Sequence, residues 1–322
     1  MDLMQYQPKK PFSQKHLLNL QGYTEDEILT ILSLAMKLKA EQKAGIPHPI
    51  LAGKTLGMIF AKSSTRTRVS FEVGIHQLGG HGLLMNSGDI QLGRGETIED
   101  TAKVLSRYIN GIMIRTFDHA DVAGLAQHGS IPVINGLTDL HHPCQVLADI
   151  QTVYEYKKQI KGLKLAFVGD GHNMAHSLME ICSKLGMDVA IACPDGYRPK
   201  AEIVSACVEN GKLSGAKVLV TNNPAEAVSG ADAVYTDVWT SMGQEAETKQ
   251  RLIDFKPFVV DEVLMAHAKP DALFLHCLPA HRGEEVTAQV IDGPNSVIFN
   301  EAENRLHAQK AVMALLMGGI QL

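Results

Sequence analysis

The sequence predicts an α/β protein with two doubly wound parallel-sheet domains joined by long helices. Short β-branched runs alternate with helical patterns along the chain, which is typical of parallel sheets covered by helices. A polar, lysine-rich segment at 157–162 separates two such sets. The length of 322 residues suits two domains. We expect one domain at 1–150 and a second at 151–302, with a helix at 303–322 that could close either.

The elements of the first half follow from local signals. Thr24 and Glu27 form a capping box at the start of a helix, because each side chain can bond the other's backbone N–H group. A strand at 55–60 leads into the polar run Ser63–Arg68 and a helix through His76. Strands at 111–115 and 131–134 and a long helix at 143–157 complete this half.

The second half repeats the alternation and ends in a strong helix at 301–317. Its predicted strands are 163–168, 188–193, 217–221, 233–238, 273–278 and 296–299.

Composition excludes several classes of protein. Apolar residues make up 45% and charged residues 20%, which is ordinary for a globular chain and excludes disorder. The net charge of −5 gives no support for nucleic-acid binding. Five cysteines without C-x-x-C spacing indicate reduced thiols, so we expect a cytoplasmic protein, with no leader and no membrane span.

The run Ser63–Arg68 is the sharpest candidate anion site. Hydroxyls, free N–H groups and the fork of Arg66 gather at a helix N-terminus, where the macrodipole favours negative charge. A solvated helix cap with two surface arginines is the alternative. The position after a buried strand favours ligand binding, because open α/β sheets bind ligands at strand ends.

Other polar residues stand at strand and helix ends. Arg115 ends an apolar strand, where it needs an ion partner or a ligand. His142 and Gln145 open the long helix and can direct two polar groups at one ligand.

The turn Gly169–Asn173 has part of a dinucleotide-binding pattern, but Met174 stands where the third glycine belongs. A tight turn that delivers Asn173 to a ligand is therefore the better interpretation.

Two further segments end strands. Asp237 could pair with a cationic substrate, and Ser241 and Gly243 indicate a movable loop. His276 and Cys277 are adjacent on a strand, so their side chains should point to opposite faces and not form a catalytic pair.

Taken in order, Ser64–Arg68, His142–Gln145 and His276–Pro279 resemble the signatures of the aspartate/ornithine carbamoyltransferase family. The Ser-Met-Gly loop at Ser241–Gly243, preceded by Asp237, and the Cys of the last motif resemble the ornithine branch. The similarity extends over essentially the whole chain, to Asn304 and Arg305 in the last helix.

The resemblance implies transfer of the carbamoyl group of carbamoyl phosphate to the δ-amine of L-ornithine, giving citrulline and phosphate, a reaction of arginine biosynthesis. It implies that 1–150 with 303–322 bind carbamoyl phosphate and that 151–302 bind ornithine. The carbamoyl phosphate set it implies is Ser64, Thr65, Arg66, Thr67, Gln91, Arg115, His142, Gln145, Cys277, Leu278 and Arg305. Its members Arg66, Arg115, His142, Cys277 and Arg305 are the implied catalytic residues. The implied ornithine set is Asn173, Asp237, Ser241 and Met242.

The family's Gln91 reaches a neighbouring subunit's site, which implies a homotrimer with shared active sites. No metal or organic cofactor is implied. Open alternatives are another acceptor amine (aspartate, putrescine or an N-acylated ornithine), an NAD-dependent oxidoreductase and a catalytically idle anion binder. The direction of the reaction is not determined by the sequence.

Overall fold

The computed structural model describes residues 2–88, 90–91, 95–241 and 243–321. The chain divides into two compact units. The first contains the residues up to Ala148 and the segment from Glu303 onward, and the second contains Asp149–Ala302.

The first unit is built on a parallel sheet with the strand order β2-β1-β3-β4. The strands are Thr55–Phe60 (β1), His81–Asn86 (β2), Gly111–Arg115 (β3) and Val133–Leu137 (β4). The helices are Glu25–Lys43 (α1), Thr65–Gln77 (α2), Ile98–Tyr108 (α3), His119–His128 (α4) and the start of Pro143–Lys157 (α5). The predicted capping box opens α1, where Thr24 Oγ1 accepts from the Glu27 N–H at 3.2 Å and Glu27 Oε2 accepts from the Thr24 N–H at 2.9 Å.

The second unit is built on a parallel sheet with the strand order β7-β6-β5-β8-β9. The strands are Lys164–Val168 (β5), Asp188–Ala192 (β6), Val218–Thr221 (β7), Ala233–Thr236 (β8) and Leu273–His276 (β9). The helices are Asn173–Leu185 (α6), Ala201–Ser214 (α7), Pro224–Val228 (α8), Thr248–Asp254 (α9), Glu262–Met265 (α10), Ala288–Ile291 (α11) and Ile298–Gly318 (α12), of which α12 continues into the first unit.

The predicted fold class is therefore confirmed: two parallel sheets flanked by helices, with the unit boundaries inside α5 and α12. The central strands are buried because helices cover parallel sheets on both faces. In β1, for example, Leu56, Met58 and Ile59 have no exposed surface.

Each sheet has one point where the strand order reverses. In the first sheet, β2 lies on one side of β1 and β3 on the other. In the second sheet, β6 and β8 flank β5 in the same way. Ligands of open α/β sheets bind at the carboxyl ends of strands at such points. The segments that follow β1 and β5 begin α2 and α6, which carry Thr67 and Asn173.

Two features differ from the predictions. The strand predicted at 296–299 is wrong: α12 begins at Ile298, and Ser296 contributes only an isolated bridge to Phe274. The sequence analysis also missed β2, because its glycine-flanked segment has no clear alternation and its residues are only partly buried at the sheet edge. Among the described residues, no helix combines the length and apolar character that a membrane crossing needs.

Candidate active site

The helix α2 begins at the carboxyl edge of the first sheet, directly after β1. Ser64 is its N-cap, and Ser64 Oγ accepts a hydrogen bond from the Thr67 N–H at 3.2 Å. The first turn of α2 contains no acidic residue, and Arg66 stands in it. The positive end of the helix dipole and the guanidinium therefore act together to favour an anion. The Ser64 hydroxyl itself serves as the cap, and Thr65 is exposed.

Two buried arginines converge on the hydroxyl of Thr67. Nη2 of Arg305, from α12, lies 3.1 Å from Thr67 Oγ1, and Nη1 of Arg115, at the end of β3, lies 3.5 Å from it. Nη1 of Arg305 also donates to Oε1 of Gln145 in α5, at 2.6 Å. Four elements that are distant in sequence thus build one cluster of cationic donors within the first unit.

His142 lies in the electrostatic field of this cluster. Its ring is buried, and burial lowers its pKa well below 6.5, with further lowering by the positive charges of Arg305, Arg115 and Arg66. The imidazole is therefore neutral at pH 7. A neutral ring can donate one N–H to a carbonyl oxygen without giving up its proton.

In the second unit, a carboxylate and a thiol meet at the ends of β8 and β9. The Cys277 thiol donates to Asp237 Oδ1 at 3.1 Å, and the same oxygen accepts from the Val238 N–H at 2.8 Å. Burial raises the pKa of Cys277 well above 9, and the negative charge of Asp237 raises it further. Cys277 is thus a protonated donor that orients the carboxylate, and it is a poor nucleophile in this state.

The loop after β9 is fixed by a buried histidine. His276 Nδ1 accepts from the Leu278 N–H at 2.9 Å, and His276 Nε2 lies 3.2 Å from Glu285 Oε1. Since Nδ1 accepts, the ring proton is on Nε2 and is donated to Glu285. Leu278 has a φ of 58°, a left-handed conformation that a leucine adopts only when its surroundings enforce it. The His276 ring is therefore bonded to Glu285 and Leu278, while the Cys277 thiol is bonded to Asp237.

The remaining predicted residues lie on α6, in the loop after β8 and on the segment after β2. Asn173 is the first residue of α6 and is buried, and the Ser241 N–H donates to Gln244 Oε1 at 3.0 Å. Gln91 is exposed, and its backbone oxygen accepts from the Glu96 N–H at 3.1 Å. Met242 lies outside the described residues, as do 92–94 of the Gln91 motif.

Lys62 and Arg251 are buried cations that the sequence did not single out. Lys62 follows β1, forms an ion pair with Asp139 after β4, and lies 4.0 Å from the centroid of the Phe117 ring after β3. Arg251, in α9, bonds three segments of the second unit. The one signal for Lys62 was a charge directly after a buried strand. For Arg251 the sequence pattern predicts an exposed residue on a helix surface.

Within the described part of the chain, two groups of side chains bring three possible metal-ligand atoms within 4.8 Å of one another: Asp237, His276 and Cys277, and His281, Glu284 and Glu285. A metal binds the thiolate, and the raised pKa of Cys277 disfavours that form. In the second group, His281 Nδ1 lies 3.6 Å from a Glu284 oxygen and 3.8 Å from a Glu285 oxygen, which is the geometry of ion pairs.

Comparison with known proteins identifies the family of this chain. Residues 15–155 match the family model described as "Aspartate/ornithine carbamoyltransferase, carbamoyl-P binding domain", and residues 161–316 match the one described as "Aspartate/ornithine carbamoyltransferase, Asp/Orn binding domain". An ornithine carbamoyltransferase of Thermococcus kodakarensis is 58% identical over 308 residues, covering 96% of this chain and 98% of the relative.

Relatives from Pyrococcus furiosus are similar in sequence and in structure. A protein named "Ornithine carbamoyltransferase, anabolic" is 58% identical over 95% of this chain and 98% of its own length. A solved structure of ornithine carbamoyltransferase from the same organism superposes with a TM-score of 0.93 at 57% identity, covering 97% of this chain and 99% of that one. The motifs, the two parallel sheets and these matches agree: the chain belongs to the aspartate/ornithine carbamoyltransferase family.

Proposed function

We propose that this protein is an ornithine carbamoyltransferase, which transfers the carbamoyl group of carbamoyl phosphate to the δ-amine of L-ornithine and yields L-citrulline and phosphate. The observation that carries the proposal is the convergence of Arg115 and Arg305 on Thr67 beside a neutral His142. Relatives 57% to 58% identical that bear the name ornithine carbamoyltransferase support it.

The first unit binds carbamoyl phosphate in this proposal. The N–H groups at the start of α2, together with Arg66 and Thr67, hold the phosphate, and the planar forks of Arg115 and Arg305 supply bidentate donors. Gln145 orients Arg305 through their 2.6 Å hydrogen bond. Ser64 and Thr65 belong to the same loop, where Ser64 fixes the helix start.

The second unit binds ornithine. Asp237 attracts the cationic acceptor amine, and Cys277 holds the carboxylate in place through the 3.1 Å hydrogen bond. The buried Asn173, together with Ser241, is proposed to contact the remainder of ornithine. Met242 and Leu278 keep the roles that the family resemblance implies for them, and Met242 lies outside the described residues. Asp237 disfavours aspartate as the acceptor, because two carboxylates would repel each other.

The reaction forms a C–N bond and breaks a C–O bond. The δ-amine, with a pKa near that of lysine at about 10.4, loses its proton before it attacks, and the phosphate of the substrate is a suitable acceptor. Attack places negative charge on the former carbonyl oxygen. The arginines and the neutral His142 stabilise that charge, and one such donor typically contributes about 2.7–4 kcal/mol. As the intermediate collapses, its positively charged nitrogen gives its extra proton to the phosphate, which leaves with the C–O electron pair, and the neutral ureido product remains.

The experiment that tests the function measures ureido product from carbamoyl phosphate with ornithine, aspartate, putrescine or N-acetylornithine supplied separately. A strong preference for ornithine is expected. Preference for another amine would keep the anion site and overturn the role of Asp237. No product with any amine would leave an anion-binding protein. Arg66→Ala should lower turnover by at least about tenfold, the factor that 1.4 kcal/mol of barrier gives.

Gln91 supports a homotrimer with shared active sites as part of the proposal, because its side chain is exposed on the first unit. Mixing Arg66→Ala subunits with Gln91→Ala subunits tests the sharing. If Gln91 completes a neighbour's site, random reassembly should restore intact sites in about a quarter of positions. Mixtures no more active than the single variants would contradict it. Arginine biosynthesis and a cytoplasmic location stay parts of this proposal, and the anabolic relative supports the synthetic direction.

A further inference from the structure

Arg251 is a buried cation that the proposed chemistry does not use. Its side chain lies in α9 and is 6% exposed. Nη1 donates to Asp170 Oδ2 at 2.6 Å and to the Trp239 carbonyl oxygen at 2.9 Å, and Nε donates to Glu247 Oε2 at 2.9 Å. Burial disfavours the charged form of Arg251, but the Asp170 and Glu247 carboxylates outweigh this and raise its pKa, so the side chain stays charged at every working pH.

Two of the three partners of Arg251, Asp170 and Trp239, belong to segments that carry the proposed ornithine set. Asp170 lies in the turn between β5 and α6, three residues before Asn173. Trp239 lies midway between Asp237 and Ser241. One guanidinium nitrogen thus bonds both segments at once.

Packing around Arg251 fixes the same two segments. Its guanidinium lies 4.9 Å from the centroid of the Tyr197 ring, and the Tyr197 carbonyl oxygen accepts from the Gly171 N–H at 2.9 Å. The Trp239 side chain is buried and stacks on Phe255, with the ring centroids 5.9 Å apart. A Cβ on Gly171 would lie 2.5 Å from the Tyr197 carbonyl oxygen. The backbone of the turn that contains Asp170 is therefore closely packed against Tyr197.

We infer that Arg251 is a positioning residue for the acceptor amine: it sets the affinity for ornithine by joining the turn that leads to Asn173 to the segment that carries Asp237 and Ser241. This inference rests on the proposed function. Arg251 touches neither substrate, so its removal should change ornithine binding far more than carbamoyl phosphate binding or turnover at saturation.

Steady-state kinetics of Arg251→Met tests this split. The ornithine KM should rise about tenfold or more, since hydrogen bonds to two segments are lost, one of them from a charged carboxylate partner. The carbamoyl phosphate KM and kcat at saturating ornithine should change less than about threefold. Arg251→Lys keeps a charge beside Asp170 but cannot reproduce the planar fork, so its ornithine KM should lie between those of Arg251→Met and the wild type.

The protein offers its own spectroscopic reporter, because Trp239 is its single tryptophan. In Arg251→Met, acrylamide should quench Trp239 emission more strongly than in the wild type, and saturating ornithine with phosphate should reduce the difference. Asp170→Asn keeps the size of the partner and removes its charge. It should change Trp239 quenching and the ornithine KM in the same direction, and it provides the test if Arg251→Met folds poorly.

Arg282→Met is the matched control. Arg282 is an exposed arginine of the same unit whose side chain donates to the Asp292 carboxylate at 2.6 and 2.8 Å. It should leave both KM values and the Trp239 signal unchanged. The inference is overturned if folded Arg251→Met and Asp170→Asn keep the wild-type ornithine KM, or if kcat and both KM values change together. Failure of the proposed function is seen separately, as absence of product in the wild type.

Discussion

Lys310 is a buried lysine in the part of α12 that belongs to the first unit. Its side chain has no exposed surface, and Nζ donates to Gln77 Oε1 at 2.9 Å and to Gln42 Oε1 at 3.2 Å. Burial lowers its pKa from 10.5 to about 8, and nearby Glu41 opposes the shift. Two amide oxygens therefore do not replace the hydration that the ammonium loses on folding.

The lowered pKa corresponds to a desolvation penalty of about 3 kcal/mol on the free energy of unfolding. Below pH 8, Lys310 is charged in both states and the folded state carries the whole desolvation penalty. Between pH 8 and 10.5 the folded chain loses the proton while the unfolded chain keeps it. The unfolded state then binds more protons, so stability rises with pH in this window.

Lys310→Met removes the penalty and leaves the two glutamine oxygens without this donor, at a loss of about 1 kcal/mol each. We expect the variant to be more stable than the wild type by about 1–2 kcal/mol at pH 7.5. From pH 7.5 to 10 this advantage should fall by about 2 kcal/mol, so that it disappears or reverses.

Urea unfolding followed by circular dichroism at pH 7.5 and pH 10 measures the difference. Lys212→Met is the control, because Lys212 is exposed and pairs with Glu209 on the surface. The reasoning is refuted if the stability gap between Lys310→Met and the wild type is the same at both pH values, or if the control shows an equal change.

Three further predictions concern the proposed site. Gln145→Leu removes the 2.6 Å acceptor of Arg305 and should raise the carbamoyl phosphate KM about tenfold, measured at saturating ornithine; an unchanged KM would contradict the role of Gln145 in orienting Arg305. Because burial and the charge of Asp237 raise the pKa of Cys277, iodoacetamide should alkylate Cys277 slowly at pH 8, and Asp237→Asn should speed alkylation by about tenfold as judged by mass spectrometry; equal rates would count against the thiol–carboxylate contact. The buried His142 ring should show no NMR titration near pH 6.5, and Arg305→Met should move its midpoint upward by removing a positive neighbour; a normal midpoint in the wild type would contradict the electrostatics.

Local sequence signals predicted most of the elements. The strand at 55–60 and the helix at 143–157 appear with the predicted bounds, because their apolar runs and end signals are strong. The strand predicted at 296–299 failed because a short apolar run has no period of its own, and here it forms the start of α12. The sequence of the edge strand β2 has no clear alternation of apolar and polar residues, because the strand is only partly buried.

Neighbours along the chain set the α/β class, the family motifs and the polar residues at strand ends, so these could be predicted from residue order. Which of those residues meet depends on how distant segments fold together. Thr67 and Arg305 are 238 positions apart, and their contact exists because α2 and α12 belong to one unit. Burial and charges from distant segments keep His142 neutral and the Cys277 thiol protonated. The hydrogen bonds of Arg251 also join distant segments. A pKa and a hydrogen bond are set by what surrounds a group in space.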